Sequence, residues 1–173
     1  IEDAQDMRMF GLLVSTGKYQ DAHFRLEDDI DMGDTRYMPA GEFNGVFDGG
    51  GHCISNLNIS SESENTGLIG FLNGGTVKDL GIESGTISGG ARVGAIAGRT
   101  MHATIRNCYN KAEVSGSNDI GGIAGMFNNS VMENCFNWGD VHAEVESVGG
   151  LIGGANRSID PSTPTIITNC YSI

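Results

Sequence analysis

The segment Gly94-Ala95-Ile96-Ala97-Gly98 decides how this sequence folds, because close copies of it recur along the chain. The copies are Thr66-Gly67-Leu68-Ile69-Gly70, Gly121-Gly122-Ile123-Ala124-Gly125 and Gly149-Gly150-Leu151-Ile152-Gly153. Their closing glycines stand at positions 70, 98, 125 and 153, so successive copies are 28, 27 and 28 residues apart. A fixed period of this length is typical of solenoid proteins, whose repeats stack on one another.

Two further short motifs follow the glycine motif in each repeat. One is Ile105-Arg106-Asn107-Cys108, and the other is a short strand such as Glu113-Val114-Ser115. The three runs are separated by Gly, Asn or Ser turns and lack helical periodicity, so each reads as a strand. One repeat cannot bury its apolar side alone. The pattern therefore predicts an all-β protein, a parallel β-solenoid of about five rungs, with equivalent residues about 4.8 Å apart.

The first forty residues differ from the repeats and predict a cap. Apolar residues at helical spacing predict a helix over Asp3 to Thr16, stopped by Gly17. The segments His23–Leu26 and Asp29–Met32 alternate as strands. We therefore divide one structural domain into an N-terminal helix and strand cap, residues 1–40, and solenoid repeats, residues 41–173. A cap would cover the open edge of the first rung.

The ends and one insertion carry further expectations. The chain starts and stops abruptly, and we expect it to be a fragment with adjoining domains in the same polypeptide. The last repeat is longer by about eight residues, around Arg157 to Thr165, a stretch that holds Pro161 and Pro164. Such a stretch predicts a loop that bulges from the last rung.

The charge balance excludes some partners. The chain carries 22 acidic residues against 10 Lys plus Arg, a formal net charge of −12. Such a surface repels nucleic acid and anionic membranes. No apolar run approaches the roughly 20 residues of a membrane span. We therefore expect no nucleic-acid partner and no direct membrane insertion.

An Asn/Asp position recurs between two apolar residues that lie three apart. Both apolar residues can point inward only if the chain bends between them, and Asn and Asp tolerate a left-handed bend. We therefore predict a structural corner ladder rather than a polar binding site. Its members are Asn56, Asp79, Asn107, Asn134 and Asn169.

Three cysteines follow this corner and share one position. They are Cys108, Cys135 and Cys170, and Leu57 and Leu80 occupy the same position in earlier repeats. That exchange indicates an apolar, inward site. Parallel side-chain vectors disfavour a disulfide, so we expect free buried thiols. Cys53 lies outside this ladder.

Aromatic residues come directly after the three cysteines. If the thiols point inward, Tyr109, Phe136 and Tyr171 point outward and stack across three rungs, with Trp138 extending the strip. One interpretation is a binding surface for a glycan or protein. The other is cross-rung stacking that steadies the solenoid.

Several segments resemble the GLUG-motif repeat regions of bacterial secreted and surface proteins. They are Phe43–Ile59, Leu26–Met32 and the Gly-Leu-Ile-Gly of residues 67–70 with its three later copies. The resemblance implies a right-handed parallel β-helix, an extracellular bacterial setting and no catalysis within the repeats. GLUG repeats occur in adhesin-like proteins and in non-catalytic regions of immunoglobulin A protease-like metallopeptidases. Any peptidase site would then lie outside this chain.

Catalytic and metal-binding alternatives have weaker support. The four histidines lack the His-Glu-x-x-His context of a zinc peptidase. A β-helix glycan hydrolase or lyase would gather charged residues on adjacent rungs, and Lys78, Arg106, Glu133 and Thr168 share one ladder position. The acidic run Glu27–Asp31 with Asp34 offers oxygen ligands for calcium, but it reads better as a solvated edge strand. We expect no metal and no cofactor.

Two classes of function remain. The favoured one is a non-catalytic structural or adhesive repeat module of a bacterial cell-surface or secreted protein, which presents or contacts a host protein or glycan. The alternative is a carbohydrate-active or carbohydrate-binding β-helix. A carboxylate-lined groove would favour the alternative.

Overall fold

The chain coils into a parallel β-solenoid with four walls and one N-terminal helix. A computed structural model describes residues 1–33, 35–156 and 162–173. Each wall is one sheet, and the chain visits the four walls in the same order in successive turns. This architecture confirms the predicted fold class, an all-β solenoid behind a helix.

The first and second walls hold the strands that begin each turn. The first wall comprises Ala40–Phe43, Ile69–Asn73, Ala97–Met101, Ala124–Asn128 and Ile152–Gly154. The second wall comprises His23–Arg25, Val46–Asp48, Thr76–Lys78, Thr104–Arg106, Val131–Glu133 and Ile166–Thr168. The second wall therefore starts one turn earlier than the first, inside the segment predicted to be the cap.

The third and fourth walls complete each turn. The third wall comprises Ile30–Asp31, Cys53–Ser55, Gly81–Ile82, Tyr109–Asn110, Phe136–Asn137 and Tyr171–Ser172. The fourth wall comprises Leu57–Ser60, Gly85–Ser88, Glu113–Gly121 and Val141–Gly149, with Ala91–Gly94 beside Glu113–Gly121. A turn thus has four strand positions, not the three expected, because the short strands of the third wall show no periodicity.

The glycine motif is a bend and not a strand, which corrects the expectation from the sequence. The strand Ala91–Gly94 ends at the first glycine of the motif, and the next strand, Ala97–Met101, begins at the fourth residue of the motif. Ala95 and Ile96 lie between them, with no exposed surface. A Cβ on Gly94 would lie 2.4 Å from the Cα of Ala124 in the next turn. The motif repeats because the corner from the fourth wall to the first has no room for side chains there.

The helix Ala4–Ser15 covers the first turn. Asp3 caps it by accepting hydrogen bonds from the backbone N–H groups of Gln5 and Asp6. Its buried face carries Phe10, whose ring lies 4.8 Å from Phe24 and 4.9 Å from Phe47. Burying such a face shields the open end of the solenoid core.

The core runs along the solenoid axis as ladders of equivalent side chains. Phe47, Val77, Ile105 and Met132 occupy one inward position on the second wall and have no exposed surface. Ile167 continues this ladder in the last turn and is 42% exposed.

No helix in the described part of the chain is long and apolar enough to cross a membrane.

Candidate binding surface on the third wall

The outward side of the third wall carries two parallel columns of side chains. The first column contains Cys53, Gly81, Tyr109, Phe136 and Tyr171, which pair in register from turn to turn. The second column contains Glu83, Lys111, Trp138 and Ile173, whose backbone N–H groups donate to carbonyls of the preceding turn. Strand alternation turns the residues between the columns inward. All four predicted aromatic residues therefore lie on one surface.

The rings of the first column stack on one another. Tyr109 and Phe136 have ring centroids 5.1 Å apart and planes 9° apart, and Phe136 and Tyr171 repeat this at 5.4 Å and 9°. Parallel rings this close overlap face to face in an offset stack. Each ring thus covers a face of its neighbour, and the half-buried Tyr109 and Phe136 offer little free aromatic face.

Tyr109 is fixed further by the residues of the preceding turn. Its ring lies over Gly81, where a Cβ would come within 2.2 Å of the ring. Its hydroxyl donates to Glu83 Oε2 at 2.8 Å, and Lys111 Nζ donates to Glu83 Oε1 at 2.7 Å. Burial and this carboxylate raise the pKa of Tyr109 above its ordinary value. Tyr109 is therefore a structural member of the wall.

Trp138 and Tyr171 present the free aromatic surface. Trp138 is 61% exposed and Tyr171 is 53% exposed. Trp138 and the exposed Lys111 line an open cavity of about 330 Å³. We call Lys111, Trp138 and Tyr171 the third-wall patch. It combines two aromatic faces with a cation, a set that suits polyhydroxylated or protein ligands.

Four of the five predicted ladder residues, Asp79, Asn107, Asn134 and Asn169, form the corner between the second and third walls. The placement of Asn56 in this ladder, with Leu57 after it, was wrong, because Asn56 lies between Cys53–Ser55 of the third wall and Leu57–Ser60 of the fourth. Asn56, Asp79, Asn107, Asn134 and Asn169 all have positive φ, between 53° and 55°. Their side chains also bond along the axis: Asn107 Nδ2 donates to Asp79 Oδ1 at 2.7 Å, and Asn134 Nδ2 donates to Asn107 Oδ1 at 3.0 Å. Turn geometry and the amide chain explain the repeated residues without a ligand.

The three ladder cysteines point inward directly after this corner. Cys108 and Cys135 are buried, and Cys170 is half-buried. Each thiol donates to the carbonyl two residues earlier, from Cys108 to Arg106 at 3.2 Å and from Cys135 to Glu133 at 3.3 Å. The thiol thus supplies a donor that the Leu80 side chain of the earlier turn lacks. Burial raises the pKa of the Cys108 thiol well above its ordinary value.

Alkylation tests whether the cysteines are free. We expect four labels per chain when the protein is denatured without reductant and its intact mass is measured. In the folded protein Cys108 and Cys135 should react far more slowly than Cys53 and Cys170, because the first two thiols are buried and the reagent reaches the half-buried pair more readily. Two labels instead of four in the denatured sample would reveal a disulfide.

The charged ladder of the second wall does not resemble a hydrolytic site. Asp48, Lys78, Arg106 and Glu133 follow one another in register. Asp48 accepts hydrogen bonds from Lys78, and its pKa is lowered despite its burial. Three rung spacings separate Asp48 from Glu133, about 14 Å. Paired catalytic carboxylates of glycosidases lie about 5–9.5 Å apart, so this pair is too distant.

The acidic segment near the cap uses its carboxylates internally. Asp29 accepts from the Cys53 N–H at 2.9 Å, and Asp31 accepts from Asn56 Nδ2 at 2.7 Å. These bonds lower the pKa of both carboxyl groups. Among the described residues no three His, Cys, Asp or Glu side chains converge to hold a metal. Asp34 lies outside the described residues, as do 157–161 of the predicted insertion.

A buried polar pair escaped the sequence analysis. Asn110 and Asn137 point inward on the third wall, with 0% and 1% of their surfaces exposed. Asn110 Nδ2 donates to Asn137 Oδ1 and to the Ala112 carbonyl, both at 2.8 Å. The alternation of side chains along a strand could have predicted this pair. With Cys108 inward and Tyr109 outward, the next residue, Asn110, must point inward.

Comparisons with known proteins support the fold and leave the family open. No protein-family model matches the chain. Halomucin from Haloquadratum walsbyi is 32% identical in an alignment of 127 residues that covers 62% of this chain. The chain spans about 1% of the length of halomucin.

A solved structure shares the fold over nearly the whole chain. It is the crystal structure of a candidate immunoglobulin A1 protease from Bacteroides ovatus, with a TM-score of 0.66 and 21% identity. The match covers 99% of this chain and 74% of that one. The likeness shows that both chains share one β-solenoid fold, and the GLUG assignment itself stays a prediction.

Proposed function

We propose that this chain is a non-catalytic structural and adhesive module of a bacterial cell-surface or secreted protein. In this proposal the stacked turns form a stiff body that holds the third-wall patch out toward a host protein or glycan. Any peptidase activity of a parent protein would belong to other domains of the same polypeptide.

Exposure of Trp138 beside the aromatic column is the observation that carries the proposal. The repeated residues are accounted for by stacking: glycines at a crowded corner, Asn at a left-handed corner and Cys or Leu inside. Trp138 is the single tryptophan of the chain and lies in the column of Glu83, Lys111 and Ile173. A large aromatic that stacking does not require, left 61% exposed, is typical of binding surfaces.

A bacterial, extracellular setting is supported by the GLUG-like segments and by the Bacteroides ovatus protein of the same fold. The acidic surface, with a net charge of −12, agrees with a partner other than nucleic acid or an anionic membrane. Beside the second wall, Lys78 contacts both Asp48 and Asp79, and carboxylates held as ion-pair partners favour a structural role over hydrolysis. Adhesion to a host protein or glycan is the part of the proposal that binding experiments test.

Substitution of the patch tests the proposal. We expect wild-type protein to be retained on an array of glycans and host glycoproteins, and Trp138→Ala to lose about thirtyfold of that affinity, the usual cost of a tryptophan hot spot. Tyr171→Ala should act in the same direction. The melting temperature of both variants should stay near wild type, because both side chains are exposed.

Tyr19→Ala is the matched control, because Tyr19 is a 58% exposed aromatic that follows the helix Ala4–Ser15 and belongs to no strand of the third wall. It should leave retention unchanged. The proposal fails if wild-type protein is not retained, or if Trp138→Ala and Tyr19→Ala bind equally well.

A further inference from the structure

A groove on the outer side of the first wall is separate from the third-wall patch. Its floor is a column of outward side chains in register, Glu42, Phe71, Arg99 and Met126, followed by Gly154. Two cavities of about 520 and 220 Å³ lie on this floor. The smaller one is lined by Arg92, Arg99, Asp119, Met126, Asn128 and Asn156.

The side of the groove is built by bends at the end of the fourth wall. Arg92 and Asp119 occupy these bends with φ of 54° and 55°. A Cβ on Gly125 would lie 2.4 Å from the Arg92 carbonyl carbon, and a Cβ on Gly153 would lie 2.2 Å from that of Asp119. The glycines of the repeat thus allow the bends to pack against the first wall. The side chains of Arg92 and Asp119 line the smaller cavity.

Arg99 provides donors that the protein leaves unused. Its guanidinium lies 4.8 Å from the centroid of the Phe71 ring, a stacking arrangement that holds the plane of the group. Among the described residues Arg99 has no hydrogen bond and no ion pair. A guanidinium carries five N–H donors in a fork that matches a carboxylate. In a chain of net charge −12, such a group without an acidic partner points to an external anion.

Arg92 adds a second cation that a ligand can recruit. It donates to Glu64 Oε2 at 3.2 Å and to Asn65 Oδ1 at 3.3 Å. The Glu64 side chain is 76% exposed, and such a pair contributes little stability in water. A ligand carboxylate can therefore displace the Glu64 carboxylate from Arg92 at little cost in free energy.

The remaining lining favours a sugar over a peptide. Asp119, Asn128 and Asn156 offer the acceptors and amide donors that bind hydroxyl groups. The interior strands of the first wall are paired on both sides. The strands that carry Arg99 and Met126 therefore offer no free edge to which an extended peptide could add by main-chain hydrogen bonds.

We propose that this groove binds a sugar unit that bears a carboxylate, a uronate or a sialate, within a glycan. Arg99 receives the carboxylate in its N–H fork, Arg92 supplies the second cation, and the amides with Asp119 hold hydroxyl groups. This goes beyond the proposed function, because it places a ligand of stated charge on a different wall.

Titration of ¹⁵N-labelled protein with three sugars tests the groove. The probes are trigalacturonate, 3′-sialyllactose and neutral lactose, followed through the Arg99 Nε resonance and the groove amides. We expect saturable shifts with at least one acidic sugar and none with lactose. Arg99→Gln should weaken that binding at least about tenfold, the scale of a charge-assisted hydrogen bond. Asp119→Asn should strengthen it, because it removes a negative charge beside the carboxylate.

Arg106→Gln is the matched control. Arg106 is also an outward strand arginine, but it lies on the second wall and lines neither cavity of the groove. It should bind like wild type, and so should Trp138→Ala, which separates this proposal from the third-wall patch. Equal binding by Arg99→Gln and Arg106→Gln, no shift with either acidic sugar, or tighter binding of hexaglutamate peptide than of the sugars would overturn the proposal.

Discussion

Replacing Gly98 by alanine is expected to destabilise the protein by about 3 kcal/mol or more, the upper range for an overpacked site. The new Cβ would lie 2.4 Å from the Thr66 nitrogen, 2.6 Å from the Asn65 carbonyl carbon and 2.8 Å from the Arg92 carbonyl oxygen. All three are backbone atoms, two of the preceding turn and one of the adjoining strand Ala91–Gly94, so no side-chain rotation relieves the clash. Urea unfolding followed by circular dichroism measures the loss.

Gly70→Ala is the matched control because Gly70 closes the first copy of the same motif. Its nearest neighbours to a new Cβ are carbonyl oxygens at 3.1 and 3.2 Å. A shift of a few tenths of an ångström accommodates that contact, so we expect a cost of about 1 kcal/mol. If Gly98→Ala were as stable as Gly70→Ala, close backbone packing would not be the reason for the glycine motif.

Asn110→Ala is expected to cost about 3 kcal/mol, because it breaks a buried polar pair. The Asn110 amide donates to Ala112 and Asn137, and its Oδ1 accepts from the Ala112 N–H at 3.0 Å. Removing it leaves these groups without their partners in a part of the core that water does not reach. Thermal and urea unfolding of the variant measure the effect.

Asn58→Ala is the comparison for a surface amide. Asn58 lies on the outer side of the fourth wall, where its Oδ1 accepts one hydrogen bond from Thr86 at 3.1 Å. Solvent replaces that bond, so we expect a loss of less than about 1 kcal/mol. Similar losses for Asn58→Ala and Asn110→Ala would contradict a structural role for the inward pair.

The repeat period carries most of the fold. Spacings of 27 and 28 residues place Val77, Ile105 and Met132 in one ladder, and the register of the second wall is the same. The strand count was wrong because Tyr109–Asn110 and its equivalents are only two or three residues long, too short for alternation to mark them. The glycine motif was predicted to be a strand because its residues are apolar. A tight, buried corner requires apolar residues too, so composition could not distinguish the two.

The candidate sites were only partly predictable. The spacing of Tyr109, Phe136 and Tyr171 predicts one outward column, but only ring geometry shows that the first two cover each other. The groove at Arg99 depends on bends at Arg92 and Asp119. These two residues lie between the repeated motifs and are of different types. The sequence therefore shows no ladder of like residues from which the groove could be predicted.

Nuclear Overhauser effects between side chains of successive turns test the stacking of the repeats most directly. Parallel stacking of the turns predicts contacts from Ile105 to both Val77 and Met132, and from Ile87 to Val114, all 27 or 28 residues apart and parallel in register. It also predicts contacts between the rings of Tyr109 and Phe136. Contacts mirrored about the turns between sequence neighbours, as antiparallel hairpins give, would contradict the solenoid and both surfaces built on it.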